Sequence, residues 1–221
     1  MKLFLPAWLA LASGLAQTGF PFQEETLAYT LNWPSGLSLG DGRMTARRVA
    51  SGWEFELKLD ASLPGILTIT DRFRSVEQNS CSVEFEKEAV HGPKKTRETT
   101  QFDTAAGMAR RATHNGGTST LAIAACVQDA LAFLYYTRRE LGQGRVPPPT
   151  TIYFGAPYQI RLEYAGAQSY GGAVADRVVA AVKGPASRHA FEILFARDAA
   201  RTPLSIRVPF PLGTFSMELV R

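Results

Sequence analysis

Along most of this chain apolar and polar residues alternate at a period of two, the spacing of a strand with one face buried and the other wet. Leu27, Tyr29, Leu31 and Trp33 share one parity. Trp53, Phe55, Leu57 and Leu59 do the same, with Glu54, Glu56, Lys58 and Asp60 between them. The pattern returns at Leu67, Ile69 and Phe73, at Val83 and Phe85, and beyond mid-chain at 158–164, 191–195, 204–208 and 215–219. These runs predict eight strands, and weaker runs at 37–49, 95–102, 108–113, 151–154 and 173–182 raise the expectation to roughly a dozen. Turn residues separate many of them, as at Ser51-Gly52, Pro64-Gly65, Gly92-Pro93, Asn115-Gly116-Gly117, Gly171-Gly172 and Lys183-Gly184-Pro185. Short connections favour antiparallel neighbours, because a parallel pair needs a crossover of a dozen or more residues.

Such a crossover is visible once. From Cys126 to Arg139, the residues Val127, Leu131, Leu134, Tyr135 and Arg138 follow helical spacing. Asp129 near the start, and Arg138 with Arg139 at the end, suit the helix dipole. Gly142 and Gly144 stop the helix, and Val146-Pro147-Pro148-Pro149 forms a stiff connector to the second block of strands. The connector reads either as a domain boundary or as a link within one sheet. About 70 residues beyond it make a small core alone, so the expected fold is mainly β. It is a curved antiparallel sheet, open or closed into a barrel, carrying one main helix over about 126–139.

The N-terminus reads as a secretory leader over residues 1–16, which leaves 17–221 as a single β-rich domain. Lys2 precedes an apolar run from Leu3 to Leu11, and Gly14 and Ala16 stand three and one positions before a cut at Gln17. The run is about half the length of a membrane span, and no later stretch approaches the roughly 20 apolar residues a span needs. The mature chain is therefore expected to be periplasmic or secreted, without a membrane-spanning helix. In that compartment Cys81 and Cys126 read either as one disulfide or as two separately buried thiols. Neither belongs to a C-x-x-C pair, so redox catalysis and paired-thiolate zinc binding lack their usual signature.

Several short pieces stand in a characteristic order. They are Glu25-Thr26-Leu27-Ala28-Tyr29 followed by Trp33 and Gly36, then Asp71-Arg72-Phe73-Arg74-Ser75, Phe102-Asp103 with Gly107, and Asp129-Ala130-Leu131 running into Tyr135-Tyr136-Thr137-Arg138. In order and spacing the chain resembles the exported bacterial proteins of the domain of unknown function 3108 family. That resemblance implies a β-rich cell-envelope protein, similar in shape to the curved half-barrels of periplasmic lipoprotein carriers, and brings no activity with it. Many relatives carry Ser two residues after the position of Leu131, where this chain has Phe133, so no role for that hydroxyl carries over.

Catalytic and metal signatures are weak. The histidines His91, His114 and His189 show no partner at triad or metal-ligand spacing, and no G-x-S-x-G elbow occurs. The Gly36 to Gly42 stretch lacks the Lys-Ser or Lys-Thr of a phosphate loop. Carboxylates such as Glu54, Glu56, Asp71, Glu84, Glu86, Glu98, Asp103, Glu163 and Glu192 alternate with apolar residues, which places them on a solvent face. A dispersed glycoside-hydrolase pair is the less favoured reading. The chain's net charge of +4 falls to +3 without Lys2. It is spread along the chain without the concentrated patch of a nucleic-acid binder, and the piece from His91 to Glu98 reads as a solvated hairpin. No cofactor, metal or catalytic residue is assigned. Trp33 and Trp53 are read as core or as the lining of a ligand cavity, and Asp129 and Arg138 as helix-end structure or as ligand contacts. The function expected is that of a non-catalytic envelope protein binding a lipid-like or polymeric ligand such as a polysaccharide, with a structural or assembly role through an envelope protein partner as the alternative.

Overall fold

The computed structural model describes residues 23–63, 67–210 and 213–220. The expected leader and the Pro64-Gly65 turn lie outside the described residues. The first eight strands are β1 (Glu25–Asn32), β2 (Ser38–Val49), β3 (Gly52–Leu63), β4 (Leu67–Gln78), β5 (Cys81–His91), β6 (Lys94–Asp103), β7 (Met108–Thr113) and β8 (Thr118–Ala122). A two-residue strand β9 (Gln128–Asp129) leads into helix α1 (Ala130–Gly142). After the proline connector come β10 (Thr150–Tyr153), β11 (Pro157–Tyr170), β12 (Ala173–Lys183), β13 (Arg188–Ala196), β14 (Pro203–Phe210) and β15 (Gly213–Leu219).

All fifteen strands belong to one sheet, in the order β8-β7-β6-β5-β4-β3-β2-β1-β15-β14-β13-β12-β11-β10-β9. Every described neighbouring pair is antiparallel except β9 and β10, which run parallel. The chain joins that pair through α1, the crossover that a parallel pair requires. A twisted sheet of this width curls, and its β9 end returns to β5. There Ser82 N–H donates to the Val127 carbonyl at 2.9 Å, Gln128 Nε2 donates to the Ser80 carbonyl at 2.9 Å, and a disulfide joins Cys81 to Cys126. The ladder itself stays open. The roll is fastened by one main-chain bond, a side-chain bond and a covalent bridge instead.

The helix lies inside the roll and is buried on almost every side. Leu131, Ala132 and Tyr135 pack with Tyr29, Met44 and Phe55, Phe133 packs with Ile152, Ile160 and Ala180, and Leu141 packs with Val178, Ile193 and Phe195. Each Leu, Ile, Val, Met or Phe among them contributes roughly 1.5–3 kcal/mol on leaving water. The opposite face of the sheet carries the charges. Arg47 and Arg74 both bind Glu54, Arg74 reaches on to Glu84, and Arg72 and Lys58 bind Glu56. All but Lys58–Glu56, which lies within β3, are cross-strand pairs, and alternation places them on the wet face.

Three expectations need correction. The helix starts at Ala130 rather than Cys126. Cys126 is bridged, Val127 accepts a sheet-like bond, and Gln128 and Asp129 pair with Ile152 and Tyr153, so these four residues are held out of the helix. Trp33 stands just past the end of β1 rather than in it. Its main chain closes a turn with Leu37, while its indole lies edge-on to Phe215 at 4.8 Å. The third concerns β8, which alternation did not reveal, because all five of its residues are exposed. The turn between β4 and β5 also lacks glycine. Asn79 and Ser80 take φ of 52° and 68°, the left-handed pair that a tight two-residue hairpin requires.

Candidate functional site

Two polar assemblies hold α1 in place. At its N-terminus Asp129 is the cap, with Oδ1 accepting from Leu131 N–H at 2.9 Å and Ala132 N–H at 3.1 Å. Its other oxygen accepts from the Ser75 hydroxyl at 2.5 Å and the Ser82 hydroxyl at 2.6 Å. Ser82 Oγ in turn accepts from the Asp129 N–H at 2.8 Å. Burial raises the pKa of this fully enclosed carboxyl, and the four donors oppose that shift. Near the other end, Arg138 is fully buried and pairs with both carboxylate oxygens of Glu25 from β1. Its Nε donates to the Ala200 carbonyl at 3.0 Å, and its guanidinium lies 5.0 Å over the Tyr135 ring. Tyr29 from β1 donates to the Pro203 carbonyl at 3.0 Å, and burial pushes its hydroxyl pKa up.

Both residues singled out from the helix, Asp129 and Arg138, thus bond to protein groups on every side described. Short motifs far apart in sequence meet here, Glu25 with Arg138 and Ser75 with Asp129. Trp53 belongs to the core, parallel to Phe55 and with the Arg48 guanidinium over its ring. None of the four residues Trp33, Trp53, Asp129 and Arg138 lines the cavity described next.

Beside α1 the interior is incompletely filled. A cavity of about 410 Å³ lies between the helix residues Leu131, Phe133, Leu134 and Thr137 and the inward rows of β11 to β14, with Phe73 and Phe154 closing one side. Its walls are almost wholly apolar. Along β13 the inward residues His189, Phe191, Ile193 and Phe195 run from exposed, through half-buried, to 6% and 0% exposed, so the cavity opens at the His189 end and deepens toward Phe195. The polar residues of the wall are Tyr158, His189 and Thr137, and Thr137 is 2% exposed with no hydrogen-bond partner for its hydroxyl among the described residues. An unpaired buried hydroxyl costs roughly 1–3 kcal/mol, and this oxygen is shielded from the cavity as well as from solvent.

Alternation identified the inward rows, Ile160 and Leu162, Phe191 to Phe195 and Ile206 among them. It carries no information on whether opposing rows touch, and Thr137 was legible only as part of a motif. A second, polar hollow shares Ile160, Val182 and His189 with the cavity, but its other β11 to β13 residues, Gln159, Arg161, Lys183 and Arg188 among them, have the outward parity of their strands. Of the other histidines, His91 pairs with Asp71 at 2.8 Å on the surface and His114 stands in an exposed turn. The dispersed carboxylates Glu54, Glu56, Glu84, Glu86, Glu98 and Glu192 are bound to arginines rather than aimed into the cavity. Among the described residues no cluster of His, Cys, Asp and Glu is arranged to hold a metal, and no helix is long and apolar enough to cross a membrane.

Residues 28–220 match the family model described as "Protein of unknown function (DUF3108)". The chain also superposes on the crystal structure of a β-barrel-like protein of domain of unknown function DUF1849 from Brucella abortus. The TM-score is 0.63 at 9% identity, over 90% of this chain and 96% of that one, a likeness of fold alone. None of the curated proteins matches the sequence.

Proposed function

The chain belongs to the DUF3108 family of proteins of unknown function, and from its interior we propose that it is an exported, non-catalytic cell-envelope protein that carries a lipid-like ligand inside the roll. The observation that carries this reading is the cavity of about 410 Å³ with almost wholly apolar walls. Ligand sites are typically concave, mostly apolar and equipped with few polar groups, within roughly 300–1,000 Å³. The absence of any carboxylate from the described cavity wall supports a holding role over a hydrolytic one. The leader-like N-terminus and the disulfide both fit an oxidising compartment.

Native mass spectrometry of the protein expressed with its leader and purified from the periplasm tests the proposal. The expected spectrum shows a lipid-sized adduct released by collisional activation. A bare polypeptide mass under gentle conditions would contradict it.

One observation favours the second reading, a structural or assembly factor acting through protein contacts. Strand β8 ends the sheet with all five residues exposed, and its free edge is the kind of surface that accepts a partner's strand.

A further inference from the structure

Of the two ends of the sheet, one is covered and the other is open. The β9 end is docked on β5 by the Ser82–Val127 bond, the Gln128–Ser80 bond and the Cys81–Cys126 bridge. Strand β8 has no described strand beyond it, and all five of its residues are exposed. The register fixes which of its main-chain groups face outward. Thr113 N–H donates to the Gly117 carbonyl at 2.8 Å, and Ile123 N–H donates to the Gly107 carbonyl at 2.9 Å. Between these two bonds Ser119 lies opposite Arg111 and Leu121 opposite Ala109. Bonded and non-bonded pairs alternate along an antiparallel ladder, so Ser119 and Leu121 bond back to β7. Thr118, Thr120 and Ala122 turn their N–H and carbonyl groups to the open edge.

Exposed edges are normally guarded by charged side chains, Lys above all, or by Pro. From Ala112 to Gln128 this chain has no Asp, Glu, Lys, Arg or Pro. The edge is also complementary to itself. Turned about a twofold axis through Thr120, it sets Thr120 against Thr120 of a second copy and Thr118 against Ala122, and each such pair exchanges two main-chain hydrogen bonds. Charge points to the same occupant. The chain carries a net charge of +4, so two copies repel where their charged surfaces meet, and along this edge no charges oppose each other. The neighbouring cation Arg110 is one strand further in, opposite Thr120. Its counterpart across the axis is three strand spacings away, about 14 Å, which exceeds the screening length of about 8 Å. We propose that β8 pairs antiparallel with β8 of a second copy, joining the two sheets across a twofold axis. Five residues per copy bury far less than the roughly 1,600 Å² of a standard interface, so the dimer is weak and forms with rising concentration. This inference names a partner for the edge on which the assembly reading rests, and it is independent of what the cavity holds.

Sedimentation equilibrium of the mature protein up to about 1 mM, with amide hydrogen exchange at the same concentrations, tests the pairing. A monomer–dimer equilibrium is expected, with exchange at the amides of Thr118, Thr120 and Ala122 slowing several-fold as the dimer forms. Two variants address the edge directly. Thr120→Pro removes an outward N–H that β7 does not use, and Thr120→Lys sets like charges face to face at the axis. Both are expected to stay monomeric at every concentration and to keep the wild-type melting temperature. A wild type that is monomeric throughout overturns the self-pairing. A dimer that survives both variants, with the three edge amides unprotected, overturns the role of β8 and leaves the assembly reading to another surface.

Discussion

At Asp129 a carboxyl group is sealed from water, and four donors replace the water it has lost. Replacement by Ala removes the helix cap and leaves two serine hydroxyls without their acceptor, a combined loss of about 2–4 kcal/mol. Asn, itself a good cap, is expected to cost no more than about 1 kcal/mol at neutral pH. Because burial raises the Asp129 pKa from its ordinary 3.8, the folded state binds this proton more tightly than the unfolded chain does. Its stabilising contribution is therefore full below the unfolded value and is lost as pH rises through the folded one. Denaturant unfolding of wild type and Asp129→Asn at several pH values checks the sign. The wild type should gain on the variant as pH falls toward 4, and a difference independent of pH would contradict the assignment. The sequence placed Asp129 near a helix start, but Ser75 and Ser82 belong to strands distant in the chain, and no local spacing connects them to it.

At the scale of elements, α1 and the β9 edge are one unit, docked on the hairpin of β4 and β5 by the Cys81–Cys126 bridge, the Ser82–Val127 main-chain bond and the capping carboxylate. The bridge spans a sequence separation of 45, for which loop-closure entropy predicts a stabilisation of about 4 kcal/mol. Cys81→Ser/Cys126→Ser is expected to lose most of that in urea unfolding. It should also expose the main-chain amides of Ser82 and Asp129 to hydrogen exchange ahead of the strands β2 to β4. Exchange unchanged at those two amides would show that the roll closes without the bridge. The strands were legible because burial of one face imprints a period of two on the sequence. Three places resisted that reading for physical reasons. Strand β8 has no buried face. The residues Cys126 to Asp129 keep helical spacing while tertiary bonds hold them extended, and at the β4–β5 turn Asn79 and Ser80 do what glycine usually does.

For the whole molecule, an open fifteen-stranded sheet wraps a single helix and leaves part of the enclosed volume empty. Native interiors are close-packed, so an apolar space of about 410 Å³ beside the helix is the feature that a ligand would explain. Inward-facing Leu162 and outward-facing Glu163 are adjacent on β11, and they separate inside from outside by one residue. Tryptophan placed at each position in turn, and titrated with hexadecanoate brominated along its chain, reports where that chain resides. The account predicts strong quenching of the added fluorescence in Leu162→Trp and little in Glu163→Trp. Equal quenching at the two positions, or none at residue 162 while the chain is bound, would contradict it.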